Sequence, residues 1–306
     1  MIAEDRASEV TQAAAVLAPS VASPEPRSRP RVWARFSRHR LGVLGAGLVL
    51  VIAVSSLAAP LLTPYEPAAL DLRQVTHPPS ADHLLGTDQV GRDVLTRLLY
   101  AGRVSLSVGL VSVSISTLIA IVLGGVAGFY RGWIDDVIMR FTETVMCFPT
   151  LIIIITIVAM IGPSIYNIML VIGLLGWTGE ARLVRGQFLS LRERDFVMAA
   201  RCLGSRDARV IFRHILPNVL APVLVAATFG VASAILTEAG LSFLGLGVQL
   251  PTASWGNMLN QAKAVDIIEK MLWLWVPPGV MVATCVLSIN FIGDGLRDAL
   301  DPKMQS

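Results

Sequence analysis

Charge is scarce in this sequence. Only 15% of its 306 residues are Asp, Glu, Lys or Arg, against about 25% in soluble domains. Hydrophobic residues make up 54%, and the mean hydropathy is +0.65. A chain so short of charge is a polytopic membrane protein, with the lipid bilayer as its surroundings. Its net charge of +3 matters less than where the basic residues fall. They lie in short stretches between apolar spans, which excludes nucleic acid as a partner. Cysteine is nearly absent: Cys147, Cys202 and Cys285 are isolated, so neither a disulfide framework nor a metal site is expected. The four histidines, His39, His77, His83 and His214, lack ligand spacing, which argues against a metal cofactor. No GxxxxGK[ST] occurs, so no phosphate-cradling loop is present and the chain alone does not bind or hydrolyse ATP. No catalytic residue is expected.

What is there is a succession of apolar runs. Residues 1–30, rich in Ala, Ser, Pro and Glu, carry too little apolar content to fold and read as a disordered tail. Residues 31–62 are a basic flank and a first span, Leu41 to Leu62, which is 22 residues without a charge. That run exceeds the roughly 7–15 residues of a signal-peptide core, so it is expected to stay as a helix. Residues 63–103 form an outer segment punctuated by Pro and Gly. The core, 104–293, opens with a span from Val104 to Tyr130 in which Ser112, Ser116, Ala120, Gly124 and Gly128 form an i, i+4 ladder. Small residues at that spacing let membrane helices approach closely, so a packing seam is favoured over a pore lining. A third span is expected at about Val137 to Ile161, with Arg140 and Glu143 paired one turn apart. A fourth starts near Ile165 and is expected to continue as helix through Arg182, Arg185 and Arg192. Span five runs from about Val219 to Leu241, with Glu238 near its outer end, and span six from about Met271 to Gly293. Residues 294–306 are a C-terminal tail. Of the 25 Lys and Arg, 19 fall in the segments that this order places inside, which predicts six helices with both termini cytoplasmic.

The stretch 195–218 is organised differently. Asp195 can cap a short helix in which Phe196, Ala199, Ala200 and Leu203 fall at i, i+3, i+4 and i+7, an apolar stripe. Gly204 stands where positive φ is needed. Ser205 is a suitable cap for a second helix, in which Ala208, Ile211, Phe212 and Ile215 repeat the spacing while Arg206, Arg209 and Arg213 share the other face. Pro217 marks a bend or restart. An interfacial hairpin packed beneath its own membrane domain is one reading of this spacing. A docking element for a partner is the other.

Four separated motifs, within residues 35 to 305, carry a resemblance. They are Gly86-Thr87-Asp88 with Gly91-Arg92-Asp93, Ala199-Ala200 with Gly204 and Ile215-Leu216-Pro217, the stretch from Glu238 to Gly247 with Pro251 to Gly256, and Gly293 to Pro302. The chain resembles the C-type permease subunit of dipeptide, oligopeptide and nickel ABC importers. The second motif is similar to the family's "EAA" loop, although Met198 stands where the family has its leading Glu. The resemblance implies an all-α membrane protein with the type I ABC importer permease fold, six transmembrane helices and cytoplasmic coupling helices. It also implies residence in the bacterial inner membrane. The partners implied are a B-type permease in a pseudo-symmetric heterodimer, two ATPases that bind ATP and Mg, and an extracytoplasmic binding protein. Peptides are the first expectation for cargo and nickel the second.

Coupling to the ATPases is then expected through Phe196, Ala199, Ala200, Leu203, Gly204, Ser205, Arg206, Arg209, Arg213 and Pro217. Glu238, Ser242 and Trp255 are candidates for the outer mouth of the translocation path, Glu238 being alternatively a residue that snorkels to the interface. A secondary transporter is the rival from another class. It requires ionisable residues near the midplane and often an internal repeat, whereas Glu143 and Glu238 both fall near span ends and no repeat is found.

Overall fold

The computed structural model describes residues 32–300. The expected disordered tail at 1–30 and the last residues, 301–306, lie outside them. Among the described residues all regular structure is helical apart from an isolated bridge between Thr87 and Asp93. A short helix α1 (Val32–Phe36) leads into α2 (Arg40–Leu57), which His39 caps by accepting from Gly42 N at 2.9 Å. After one turn, α3 (Ala59–Leu62), the chain crosses a long outer segment to α4 (Val94–Tyr130), α5 (Gly132–Met146) and α6 (Thr150–Ile161). Then come α7 (Ile165–Arg192), α8 (Asp195–Cys202), and a turn α9 (Asp207–Arg209) that passes through a π-helical segment, Val210–Ile215, into α10 (Leu216–Phe243). Two short helices, α11 (Trp255–Gln261) and α12 (Val265–Lys270), precede α13 (Leu272–Leu300).

Five of these helices are long and apolar enough to cross a membrane, and the bent pair α5 and α6 taken together meets the same measure of length and composition. The protein is thus an all-α membrane protein. The third span is broken where a continuous helix from Val137 to Ile161 was expected: α5 and α6 meet at 80°. Pro149 accounts for the break, because a proline denies the backbone a donor and clashes with the preceding turn. Span two starts ten residues earlier than expected, at Val94, with Asp93 accepting from Thr96 N at 2.7 Å as its cap. Arg97 and Arg103 are tolerated in that helix because they bond inward. Arg97 reaches Pro67 O, and Arg103 donates to Ser56 O and Leu57 O at 2.6 Å each. Span six runs on to Leu300 instead of ending at Gly293.

The small-residue ladder is the seam on which α4 and α7 lie together. A Cβ added at Gly124 would sit 2.4 Å from Ala181 O, and one at Gly128 would sit 2.7 Å from Arg185 O. Nothing larger than hydrogen fits there. Gly173 answers from the α7 side, where a Cβ would come within 2.9 Å of Ser112 O, and Ser112 Oγ donates to Met169 O at 3.0 Å. Below the seam Arg185 holds both oxygens of Asp135 at 2.6 Å, tying α5 to α7 in a bidentate pair. At the two chain ends, α13 crosses α2 where Gly42 meets Gly295, with His39 Nε2 3.4 Å from Asp298.

Gly124→Leu is expected to destabilise the subunit by about 1–3 kcal/mol or more through overpacking of backbone against backbone. Gly47→Leu, on the open face of α2 with no atom within 4 Å, is expected to be near neutral. Thermal melting of the two variants in detergent, followed by size-exclusion chromatography, checks the contrast.

Candidate functional site

The hairpin at 195–218 hangs below α7 and is pinned by a small core of its own. Val197, Val210 and Ile215 are fully buried against Phe129, Val184 and Phe188, and Arg201 lies over the Phe129 ring at 5.1 Å. Arg131 pairs with Glu193 at 2.9 Å and Arg192 bonds to Phe129 O, which holds the junction with α7. The turn between the two helices is a Schellman motif. Gly204 has φ +76°, Gly204 N donates to Arg201 O at 2.9 Å, and Ser205 N donates to Ala200 O at 3.1 Å. A Cβ at Gly204 would meet nothing within 4 Å. The conformation, and not crowding within this chain, is what calls for glycine.

Several details differ from the sequence expectation. Arg194, not Asp195, is the first cap, and Arg206, not Ser205, the second; neither makes a side-chain capping bond. Ser205 instead closes the Schellman turn. The stripe of Phe196, Ala199 and Leu203 faces outward, Leu203 being 87% exposed, while only Ala200 of that set is buried. Val197, one residue off the stripe, is the inward anchor. In the second helix Ile215 is buried and Phe212 is 68% exposed, because the π-helical turn shifts the phase of the apolar spacing. Pro217 stands in the first turn of α10, where the π-helical segment gives way to α-helix, within a helical run that is continuous from Asp207 to Phe243. Arg206, Arg209 and Arg213 are all exposed. The hairpin therefore shows an open surface that combines Phe196, Met198, Leu203 and Phe212 with three arginines.

At the opposite end of the molecule, Glu238, Ser242 and Trp255 come together, but not as the lining of an open mouth. Glu238 and Trp255 are 0% exposed and Ser242 2%. Glu238 accepts from Ser105 Oγ at 3.1 Å and from Ser242 Oγ at 2.6 Å, and the Trp255 indole donates to Leu98 O at 3.1 Å. Neither the outer-mouth role nor snorkelling fits a carboxylate closed off by α4, α10 and the start of α11. It is a buried polar knot, which the motif glycines permit. A Cβ at Gly247 would lie 1.8 Å from Ser242 Oγ, and one at Gly256 2.7 Å from Ala239 O.

Two arrangements escaped the sequence. The Gly86–Asp93 motif, ordinary turn material by composition, is a buried charge cluster. Asp88 accepts from Val90 N, Arg92 N and Arg92 Nε at 3.0, 2.9 and 2.7 Å, with Arg97 Nε at 3.7 Å. His83 Nδ1 lies 2.8 Å from Asp93 Oδ2, and Arg92 reaches across to Gln261 Oε1 at 3.1 Å. A Cβ at Gly91 would stand 1.8 Å from Asp71 O, so the motif clamps the outer segment onto the helices. The other arrangement is Glu180, half-buried on α7, which accepts from Thr117 Oγ1 at 2.8 Å beside a cavity of about 150 Å³. A long-range pairing of this kind leaves no local signal.

Residues 120–306 match the family described as "Binding-protein-dependent transport system inner membrane component". The chain belongs to that family. Residues 30–79 of this permease also match "N-terminal TM domain of oligopeptide transport permease C". It is 44% identical over 271 residues to a putative peptide permease protein of Brucella suis, covering 89% of this chain and 90% of that one. It is 40% identical over 296 residues to a dipeptide transport system permease protein of Alkalihalophilus pseudofirmus, covering 93% and 97%. The dipeptide transport system permease protein of Bacillus subtilis is 38% identical over 288 residues, covering 94% and 90%. The permease is a multi-pass component of an inner-membrane transport system.

Asp88→Ala is expected to cost about 3–5 kcal/mol, because Arg92 and Arg97 would be left buried without their shared carboxylate. Asp88→Asn is expected to cost less. Yield and melting temperature of the purified variants measure both, with the Gly124 seam as an undisturbed reference.

Proposed function

We propose that the chain is the C-type permease subunit of an ATP-driven importer that takes up di- and oligopeptides delivered by an extracytoplasmic binding protein. The match of residues 30–79 to the N-terminal domain of oligopeptide transport permease C and the names of the relatives support peptide cargo over nickel. The observation that carries the mechanism is the hairpin: an apolar and basic surface, open in this chain, fixed by Val197, Val210 and Ile215 to two spanning helices at once. Such an element transmits a partner's movement as a rigid body and needs no catalytic side chain.

In this reading the surface formed by Phe196, Ala199, Leu203, Gly204 and the arginines Arg206, Arg209 and Arg213 docks on an ATPase. Two ATPases bind ATP and Mg, and this subunit has no catalytic role. A B-type permease pairs with it as a pseudo-symmetric partner across the membrane. The termini and the hairpin lie in the cytoplasm, as the distribution of basic residues supports.

Topology is tested by single cysteines in a background where the exposed Cys147 and Cys202 are serine. Ala81→Cys, on the exposed outer segment, is expected to react with an impermeant thiol reagent from outside, and Ala208→Cys only after the membrane is opened. Outside labelling at position 208 would overturn the coupling role.

Function is tested by peptide uptake into liposomes carrying the reconstituted complex. Gly204→Val forces a β-branched residue into positive φ, a strain of about 1–2 kcal/mol or more, and uptake is expected to fall by roughly tenfold with the subunit still inserted. Gly204→Asn, which tolerates that backbone region, is expected to retain most of the activity. Wild-type uptake by Gly204→Val would leave the loop as a mere interfacial hairpin.

A further inference from the structure

The cavity beside Glu180 is polar in a part of the molecule where polarity is costly. Ser112 and Ser116 of α4, Thr150 at the break in the third span, Glu180 of α7, and Ser233 and Thr237 of α10 line its 150 Å³. Glu180 lies 15 residues into the membrane-spanning helix α7, about 22 Å from its start at ~1.5 Å per residue, a distance short of the ~30 Å thickness of a hydrocarbon core. Among the described residues, only Thr117 donates to its carboxylate, through Oε2, and no basic side chain lines the cavity. The other oxygen, Oε1, points toward the gap left by Gly230, where an added Cβ would come within 3.3 Å of it. Gly176 is likewise bare at the cavity wall. A carboxylate held in a membrane span without a cationic partner, with glycines keeping the space before it clear, is arranged to meet a positive charge brought from outside the chain. Of the surrounding hydroxyls, Ser112, Ser116 and Thr237 already donate to backbone carbonyls, which leaves their oxygens as acceptors for the amide N–H groups of a peptide.

We propose that Glu180 is a recognition residue in the translocation path, taking a positively charged side chain of a peptide cargo within the spanning helices. This rests on the peptide-importer function above and adds to it a site of charge selection within the permease itself. Thr150, the first residue of α6 after the break at Pro149, stands at the cavity edge.

The test uses the reconstituted complex, with the binding protein saturated in turn by a lysine-containing and a glutamate-containing peptide of equal length, and reads the ratio of their uptake rates. Glu180→Gln is expected to lower the lysine-to-glutamate ratio by roughly tenfold, the scale of one charge-assisted hydrogen bond. Thr117→Val keeps the carboxylate but removes its donor, and is expected to shift the ratio in the same direction by a smaller factor. A merely structural role would slow both cargoes alike and leave the ratio unchanged. If Glu180→Gln fails to assemble, Thr117→Val decides. A wild-type ratio in whichever variants assemble overturns the proposal while leaving the importer function intact. Failure of the unaltered complex to transport either peptide would instead strike at the importer function itself.

Discussion

Two helices whose backbones touch cannot be separated by small adjustments of side chains, and α4 against α7 is such a contact. Gly124 and Gly128 lie on the carbonyl groups of Ala181 and Arg185, and Gly173 lies on that of Ser112. Because lipid tails are as apolar as the helices themselves, hydrophobic burial gives little preference for one pairing over another. Close van der Waals approach supplies it instead. With that register set, Arg185 comes opposite Asp135, Thr117 opposite Glu180, and Phe188 enters the core that anchors the hairpin. A shift of one residue along the seam would lose all three.

Most of the charges deep in the fold hold segments of the chain together. Asp88 gathers Arg92 and Arg97, Glu238 gathers two serines, and Asp135 takes Arg185. These are structural because their partners are within the chain and their atoms are shut away. Glu180 is the contrast. It has one hydroxyl, a cavity and a glycine gap.

Features that depend on neighbours in sequence were readable in advance, and those that depend on distant segments were not. The ladder from Ser112 to Gly128 has a helical spacing that any membrane seam would share, and Gly204 follows a short helix at the position where a Schellman turn requires positive φ. The direction of the Phe196, Ala199 and Leu203 stripe was not readable, since an apolar stripe that docks on a partner and one that packs inward have the same period. Only Val197 against Phe188 distinguishes them. Pro149 leaves the apolar count of the third span unchanged while dividing it into two helices at 80°. The enclosure of Glu238 needs Ser105 from one span and the loop before Trp255 from another, which no local window contains.

The unbroken run from Asp207 to Phe243 makes the fifth span a single rod of about 55 Å at ~1.5 Å per residue, with the arginine-bearing turn at one end and the Glu238 knot near the other. There is no loop between them to absorb motion. A tilt of this rod by ~5° about one end carries the opposite end through about 5 Å, as the rise per residue requires of a helix this long. The π-helical turn sits directly above the short end of that lever, where a wider bore leaves the backbone less tightly wound than the α-helix on either side. Arg209 and Glu238 therefore belong to one helix, and a change of tilt at either end displaces the other.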